Sequence, residues 1–595
     1  MKKILFSSVL IAGLFLSGCS NFLEESAYSS FTKEEAYSNP TLVYLNTLAS
    51  VYTAMGVQGC AYDCDFGAGG INYLSEFSSD LVIIQGRRSD WVDGGANQQI
   101  GLHTWTPSHS LFEASWNYQY QIIGLCNSSI DDLQAMIDEG GEEFLQDYIY
   151  ELRAIRAYYY LNLLGMFARV PIVTSSSMSV GAVEQPERSE VYAFLRDELA
   201  EIIPHLSDQE GVSGSGEYYG RMNKATGYMM MAKLAANAAV WSQDVWNDGK
   251  FTGGIDAVGQ TVTDLGKAQM ITLDGTERNA WETVIYCQEQ LAAMGYALNP
   301  DDHENFTTNN SSSVENIFVR PNNSTNYQLP QRYMAYSMHS NHTRALANAT
   351  GSNGPSSSVQ AALLFGLTLD ENAGADVIDP TDYSNADPRW DMFFYSGPIE
   401  VDGVPVSMSS DYHDQLYYLP FAVKVDHGSP LSGSKEEYDM WCAGARIRKV
   451  EIDPAVDVFS WAFDYQEADI VVYRYADALL LAAEAKYRLG DSAGALDDIN
   501  AIRNRVGATP RESVDLQTIL DERGLELVWE TTRRDDLIRF GMFTEPTADK
   551  YVGCPAATGA GAWTYDEVGD KLVFPIPVNV LNLNTNLTQN PGYAG

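Results

Sequence analysis

The sequence predicts a mostly α protein: tetratricopeptide-like helical hairpins forming a scaffold, with a loop-rich irregular insert on one side. Three observations carry this. Phe144–Phe167 has an apolar stripe of Leu145, Tyr148, Ile149, Leu152, Ile155, Tyr159 and Leu163, one face of a 3.6-residue period. A second helical pattern runs over residues 470–506 and breaks at Gly490-Asp491. Between them, residues 300–460 are dense in Asn, Ser, Gly, Pro and Tyr, and the helical period fades.

Each element follows in order. Lys33–Ala54 is helix-compatible, and residues 56–70 are Gly-rich and loop-like. Leu111, Trp116, Tyr120 and Ile123 mark a helix over 111–138. Val170-Pro171 stops the long helix, because the residue before proline is pushed out of the α region. Helices are expected over Glu190–His205, Asn223–Trp241 and Ala280–Met294. After the insert, Ile470–Leu489 and Ser492–Val506 form a hairpin. Gly490 suits a left-handed C-cap, and Asp491 or Ser492 can cap the helix that follows. The run Tyr487-x-x-Gly490-Asp491-x-x-x-Ala495 resembles a tetratricopeptide hairpin, where small residues let two helices cross closely. Ile519–Phe540 is read as one further helix. Trp105, Trp116, Trp241, Trp281 and Trp529 lie in helical or apolar contexts and are assigned to the core.

Composition limits the partners. The 595 residues carry 37 Lys+Arg against 79 Asp+Glu, a formal net charge of −42. Nucleic acid and anionic lipid both select basic surfaces, so neither is expected as a partner. A hydrophobic fraction of 45% supports a large folded core and excludes wholesale disorder.

The N-terminus indicates destination. Lys2 and Lys3 precede an apolar run, Ile4–Leu16, that is shorter than the ~20 residues of a spanning helix. Leu16-Ser17-Gly18-Cys19 is similar to a bacterial lipobox, so residues 1–18 are read as a lipoprotein signal peptide and Cys19 as the lipidated (palmitate-bearing) first residue. Residues 19–595 are read as one domain, with helical scaffold over 30–300 and 465–545 and the insert at about 300–465. The anchored protein is expected in an oxidising compartment. Cys60-x3-Cys64 is the close cysteine pair and a disulfide candidate; a zinc site there lacks a second pair or a nearby histidine.

Five stretches resemble the SusD/RagB family of outer-membrane lipoproteins. They are Cys19-Ser-Asn-Phe22-Leu23-Glu24-Glu25, Leu152–Tyr160 running on to Val170-Pro171, Tyr473–Glu484, Glu522–Glu530 with Arg533–Arg539, and Asn590-Pro591-Gly592-Tyr593. The resemblance implies a cell-surface glycan-binding lipoprotein on the outer membrane, facing the cell exterior. It would capture oligo- or polysaccharide and deliver it to a SusC-like TonB-dependent transporter, with no cofactor.

Sugar recognition needs exposed ring faces for the C–H face of the sugar and polar groups for its hydroxyls. Gly86-Arg87-Arg88-Ser89-Asp90-Trp91, followed by Asn97 and Gln98, places a Trp in a charged loop with no periodic reason to be core. The resemblance points to the same Trp and Asn. The glycan-binding candidates are Trp91, Asn97, Arg87, Asp65, Tyr333, Tyr336 and Arg344. Tyr327, Arg332, Asn341, Asp63, Tyr412, Tyr417, Tyr418 and Trp441 are weaker ones. For Trp91 the competing assignment is a small core under the loop. G-x-S-x-G, H-E-x-x-H, P-loop and G-x-G-x-x-G patterns are all missing from the sequence. His339-x-x-His342 suggests no third metal ligand. A non-catalytic protein without a metal is therefore expected. A surface glycoside hydrolase, or a hairpin scaffold that binds protein alone, is the alternative.

Overall fold

A computed structural model describes residues 40–595, apart from 56–69, 88–89, 92, 180, 182, 209–217, 323–335, 348–349, 371, 375–376, 409–411, 422–433, 453–466, 546–565 and 594–595. The expectations placed on Cys19, Cys60, Cys64, Asp63, Asp65, Tyr327, Arg332 and Tyr333 lie outside the described residues. The chain divides into two compact units, residues 1–50 and 51–595. In the first, Pro40–Asn46 is helical, and the Thr47 hydroxyl donates back to the Val43 carbonyl at 2.7 Å.

The second unit holds the helical scaffold. Its principal helices are α1 (Ile71–Phe77), α2 (Ser110–Asp138), α3 (Phe144–Phe167), α4 (Arg188–Ile202), α5 (Lys224–Ala236), α6 (Ile255–Ala268) and α7 (Ala280–Ala293). The insert itself contains α8 (Lys435–Cys442), and after it come α9 (Tyr475–Leu489), α10 (Ser492–Arg505), α11 (Leu516–Leu527) and α12 (Arg533–Arg539). Helices pack in sequence-adjacent and interleaved pairs: α2 on α3, α3 on α4, α5 on α7, α7 on α9 and α9 on α10. The mostly α, tetratricopeptide-like class is the observed one.

The local chemistry matches the sequence reading at several ends. Gly490 closes α9 at φ 95°, and the Asp491 side chain accepts from the Gly494 N–H at 2.9 Å to start α10. Asn279 and Glu282 form a reciprocal capping box at α7. All five tryptophans assigned to the core are buried.

Two elements differ. Residues 470–474 are strand, not the start of a helix. Ile470, Val471, Tyr473 and Arg474 pair antiparallel with Asn316–Arg320, a partner some 150 residues away that local periodicity cannot report. The single helix read over 519–540 is two, because Trp529 (φ 70°) and Thr531 (φ 65°) adopt left-handed backbone between α11 and α12.

The insert is held by short two-stranded pairings. One of them, β1 (Val82–Ile84) against Pro355–Ser357, matters for the site. It is fixed to the scaffold through charge. Asp80, just before β1, is gripped by Arg533 of α12 through two bonds of 2.8 and 2.9 Å. The Ser358 hydroxyl donates to the Asp80 carbonyl at 2.6 Å.

Candidate functional site

The loop after β1 turns back on itself where Arg87 and Asp90 exchange backbone hydrogen bonds of 2.8 and 2.9 Å. Trp91 follows with φ 59°, a conformation a bulky residue holds only when its surroundings fix it. They do so here. Gln98 and Asn97 donate to the Trp91 carbonyl at 3.0 and 3.4 Å, and the Tyr73 hydroxyl holds the Asn97 amide oxygen from behind. The indole N–H donates to the Ser352 carbonyl at 2.7 Å. Tyr336 meets the indole edge-on, with ring centroids 5.6 Å apart. Both rings are only partly buried.

Gly354 makes this approach possible. A Cβ there would stand 2.3–2.8 Å from Cε2, Cζ2 and Nε1 of Trp91. Gly354→Ala is therefore expected to displace the indole. Gly354 is itself buried, so the clash is also expected to lower the thermal midpoint, which melts against the parent check.

Buried cations tie together the segments that carry the rings. Arg87 is fully buried and donates to the Met440 and Ala443 carbonyls at 2.7 and 2.8 Å. Arg446, also fully buried, donates to the Asn353 side chain at 2.7 Å, and Asn353 in turn donates to the Trp441 carbonyl at 3.0 Å. Its guanidinium sits 4.5 Å from the Tyr418 ring centroid. Burial lowers Arg446 to about 10. The loop 352–354 thus joins the Trp91–Tyr336 pair to α8, where partly exposed Trp441 meets His339 edge-on at 6.5 Å.

The candidates from the sequence separate into two roles. Trp91, Tyr336 and Arg344 reach the surface, with Arg344 exposed on the helix Ser340–Ala347. Arg87 and Asn97 do not reach it: both are inside, spent on backbone or on each other's loop, so they position the rings rather than present groups to a ligand. Tyr418 is likewise fully buried, whereas Tyr412, Tyr417 and Trp441 are partly exposed. Ser352, Asn353 and Gly354 were not singled out from the sequence. Their signal was the Ser-Asn-Gly-Pro run, a turn signature, but nothing local says which ring it receives.

Histidine chemistry at the site is set by burial. Desolvation, then the Arg446 and Arg87 guanidinia, lowers His339 to about 4. Desolvation, then His339 and Arg446, lowers His342 to about 3. Neither carries charge near neutrality. Both ordinarily titrate near 6.5, so below that pH the unfolded chain binds more protons than the native one. Stability is therefore expected to fall as pH drops from about 6.5 towards 4. Thermal melts across that window check this, and His342→Gln is expected to flatten the slope.

The tightest carboxylate group among the described residues is Asp302, Glu315 and Glu526, all buried. Guanidinia fill the place a cation would take. Arg474 reaches Glu315 and Glu526 at 2.7 Å, and Arg505 reaches Glu315 at 2.7 Å and Asp302 at 3.0 Å. This is core architecture, away from the rings.

Comparison with known proteins gives a consistent picture. Residues 432–593 match the family model described as SusD family. The starch-binding protein SusD of Bacteroides thetaiotaomicron is 24% identical over 626 aligned positions, covering 99% of both chains. A SusD-like protein of Formosa agariphila, P38, is 32% identical over 151 residues, 23% of this chain and 26% of its own. Among solved structures, a SusD-like protein from Bacteroides fragilis superposes with a TM-score of 0.64 at 16% identity, covering 95% of this chain and 99% of that one. A laminarin-binding SusD-like protein does so with a TM-score of 0.57 at 21% identity, covering 93% and 100%. The C-terminal segment thus matches the SusD family model, the whole chain aligns with SusD at 24% identity, and the fold is that of SusD-like proteins.

Proposed function

We propose that this protein is a cell-surface glycan-binding lipoprotein. It captures oligo- or polysaccharide and passes it to a SusC-like TonB-dependent transporter in the outer membrane. The observation that carries this reading is the Trp91–Tyr336 pair: two partly exposed rings, edge-on at 5.6 Å, on segments tied together by buried guanidinia. Rings held this way present apolar surface to the C–H face of a sugar and lose little entropy on binding. Arg344, exposed nearby in sequence, offers donors to sugar hydroxyls.

The substrate class follows from relatives. One is named a starch-binding protein, one solved structure is a laminarin-binding protein, and a glycan-binding protein of Bacteroides thetaiotaomicron was solved with laminarihexaose. Glucans of both linkage types are accordingly the first ligands to test. The lipid on Cys19 tethers the protein at the exterior. No helix among the described residues is long and apolar enough to cross a membrane.

The protein binds without cleaving. Native gels cast with starch, laminarin and a wider glycan panel are expected to retard it, and incubation is expected to release no reducing ends. Release of reducing ends by pure protein would instead favour a hydrolase. Failure on the whole panel, together with capture of a transporter, would leave only the scaffold role.

A further inference from the structure

Away from the ring-bearing loops, the first residue of α4 is a buried cation without a partner. Arg188 is fully buried, and none of its three guanidinium nitrogens has a hydrogen-bond acceptor among the described residues. Its guanidinium carbon lies 5.3 Å from the ring centroid of Trp246. The Trp246 indole N–H is also buried without an acceptor, and so is the Tyr192 hydroxyl one turn along α4. A second guanidinium adds to the imbalance. Burial first, and Arg534 next, lower Arg188 to about 9. The acids that oppose this act from further off. Asp244 is engaged on the exposed side by the Ser189 N–H at 2.9 Å, and Asp535 lies 3.6 Å from Arg534.

The unmet groups are nearly all donors, and that decides the chemistry. A water can accept two hydrogen bonds, but it brings two hydrogens that need acceptors of their own. Beside Arg188 and Trp246 that would only move the deficit. An anion accepts without donating, and it also answers the unpaired charge, whose burial is otherwise costly. Full burial of the guanidinium restricts the ion to a small one, and one guanidinium whose charge Asp244 and Asp535 already oppose in part restricts it to a monovalent one.

We propose that Arg188 and Trp246, at the start of α4, form an internal halide site that holds chloride. The ion links α4 to the segment around residue 570. Gly569 packs close to the Trp246 carbonyl, and Arg534 donates to the Leu572 carbonyl at 2.7 Å and to Gly165 at 3.0 Å. Chloride is therefore a structural ligand, separate from glycan capture.

The test uses the full chain. Raising chloride from about 1 to 150 mM, with gluconate keeping ionic strength constant, is expected to raise the melting temperature by roughly 2 °C. Arg188→Met is expected to remove that dependence. Should that variant fail to fold, Trp246→Phe keeps the ring, deletes the N–H and is expected to weaken it. Crystals soaked in sodium bromide are expected to show an anomalous peak within hydrogen-bonding distance of the Arg188 guanidinium. Bromide peaks confined to the outer surface, or equal melting curves in chloride and gluconate, overturn the proposal.

Discussion

Trp91→Ala is expected to abolish retardation in glycan-containing gels while leaving the fold intact. A ring face giving up roughly 60–80 Å² of apolar contact forfeits about 1.5–2 kcal/mol, a tenfold to thirtyfold weaker complex per site. The stability cost is expected to be small, because the indole is only partly buried and makes one hydrogen bond, to Ser352. Trp91→Phe keeps an aromatic face and is expected to recover much of the binding. Arg87→Ala separates the roles further. It leaves the Met440 carbonyl without the Arg87 donor inside the protein and the Ala443 carbonyl with Arg446 alone, so it is expected to lose binding and stability together. Isothermal titration with a glucan oligosaccharide, paired with thermal melts, reads both quantities. Full affinity in Trp91→Ala would remove the ring pair from the site.

Glu526→Gln is expected to give the largest loss of stability, about 3–5 kcal/mol. Its carboxylate faces Arg474 at 2.7 Å, Arg389 at 3.1 Å and Arg505, all of them buried. These guanidinia hold Glu526 well below the usual carboxylate range despite its burial. Neutralising it leaves three buried cations to share Asp302, Glu315, Glu522, Glu530 and Asp387. Denaturant titration is the measurement, and a change under 1 kcal/mol would mean the network is redundant. The same logic applies at Glu484, which two guanidinia, Arg539 and Arg488, hold at about 2. Its contribution is present above the unfolded value near 4.5 and is lost as pH falls from there to about 2.

These two predictions sit on opposite sides of what a sequence reveals. The scaffold was legible because helices report themselves locally. The stripe along Phe144–Phe167 fixed a helix with those same bounds, and Gly490-Asp491 fixed the turn between α9 and α10. The family motifs were legible for a related reason. Arg533-Arg534-Asp535-Asp536-Leu537-Ile538-Arg539 is an unusual run, and each Arg of it is buried against a specific partner such as Asp80, the Gly165 carbonyl or Glu484.

The site was legible only in part. Trp91 stood out as a ring in a charged loop, but Arg87 and Asn97, its neighbours in sequence, turned inward. Which side chain faces water there depends on Met440, Ala443 and Tyr73, which come from distant segments. The same limit applied at 470–474, where the partner strand begins at Asn316. The sequence by itself determined the long helix over Phe144–Phe167, the turn at Gly490-Asp491, the acidic charge and the lipid-anchor signature, because those depend on residues within a few turns of one another. Tertiary structure alone decided which rings face solvent and which cations are buried, because burial depends on every segment that packs against a residue and not on its neighbours in the chain.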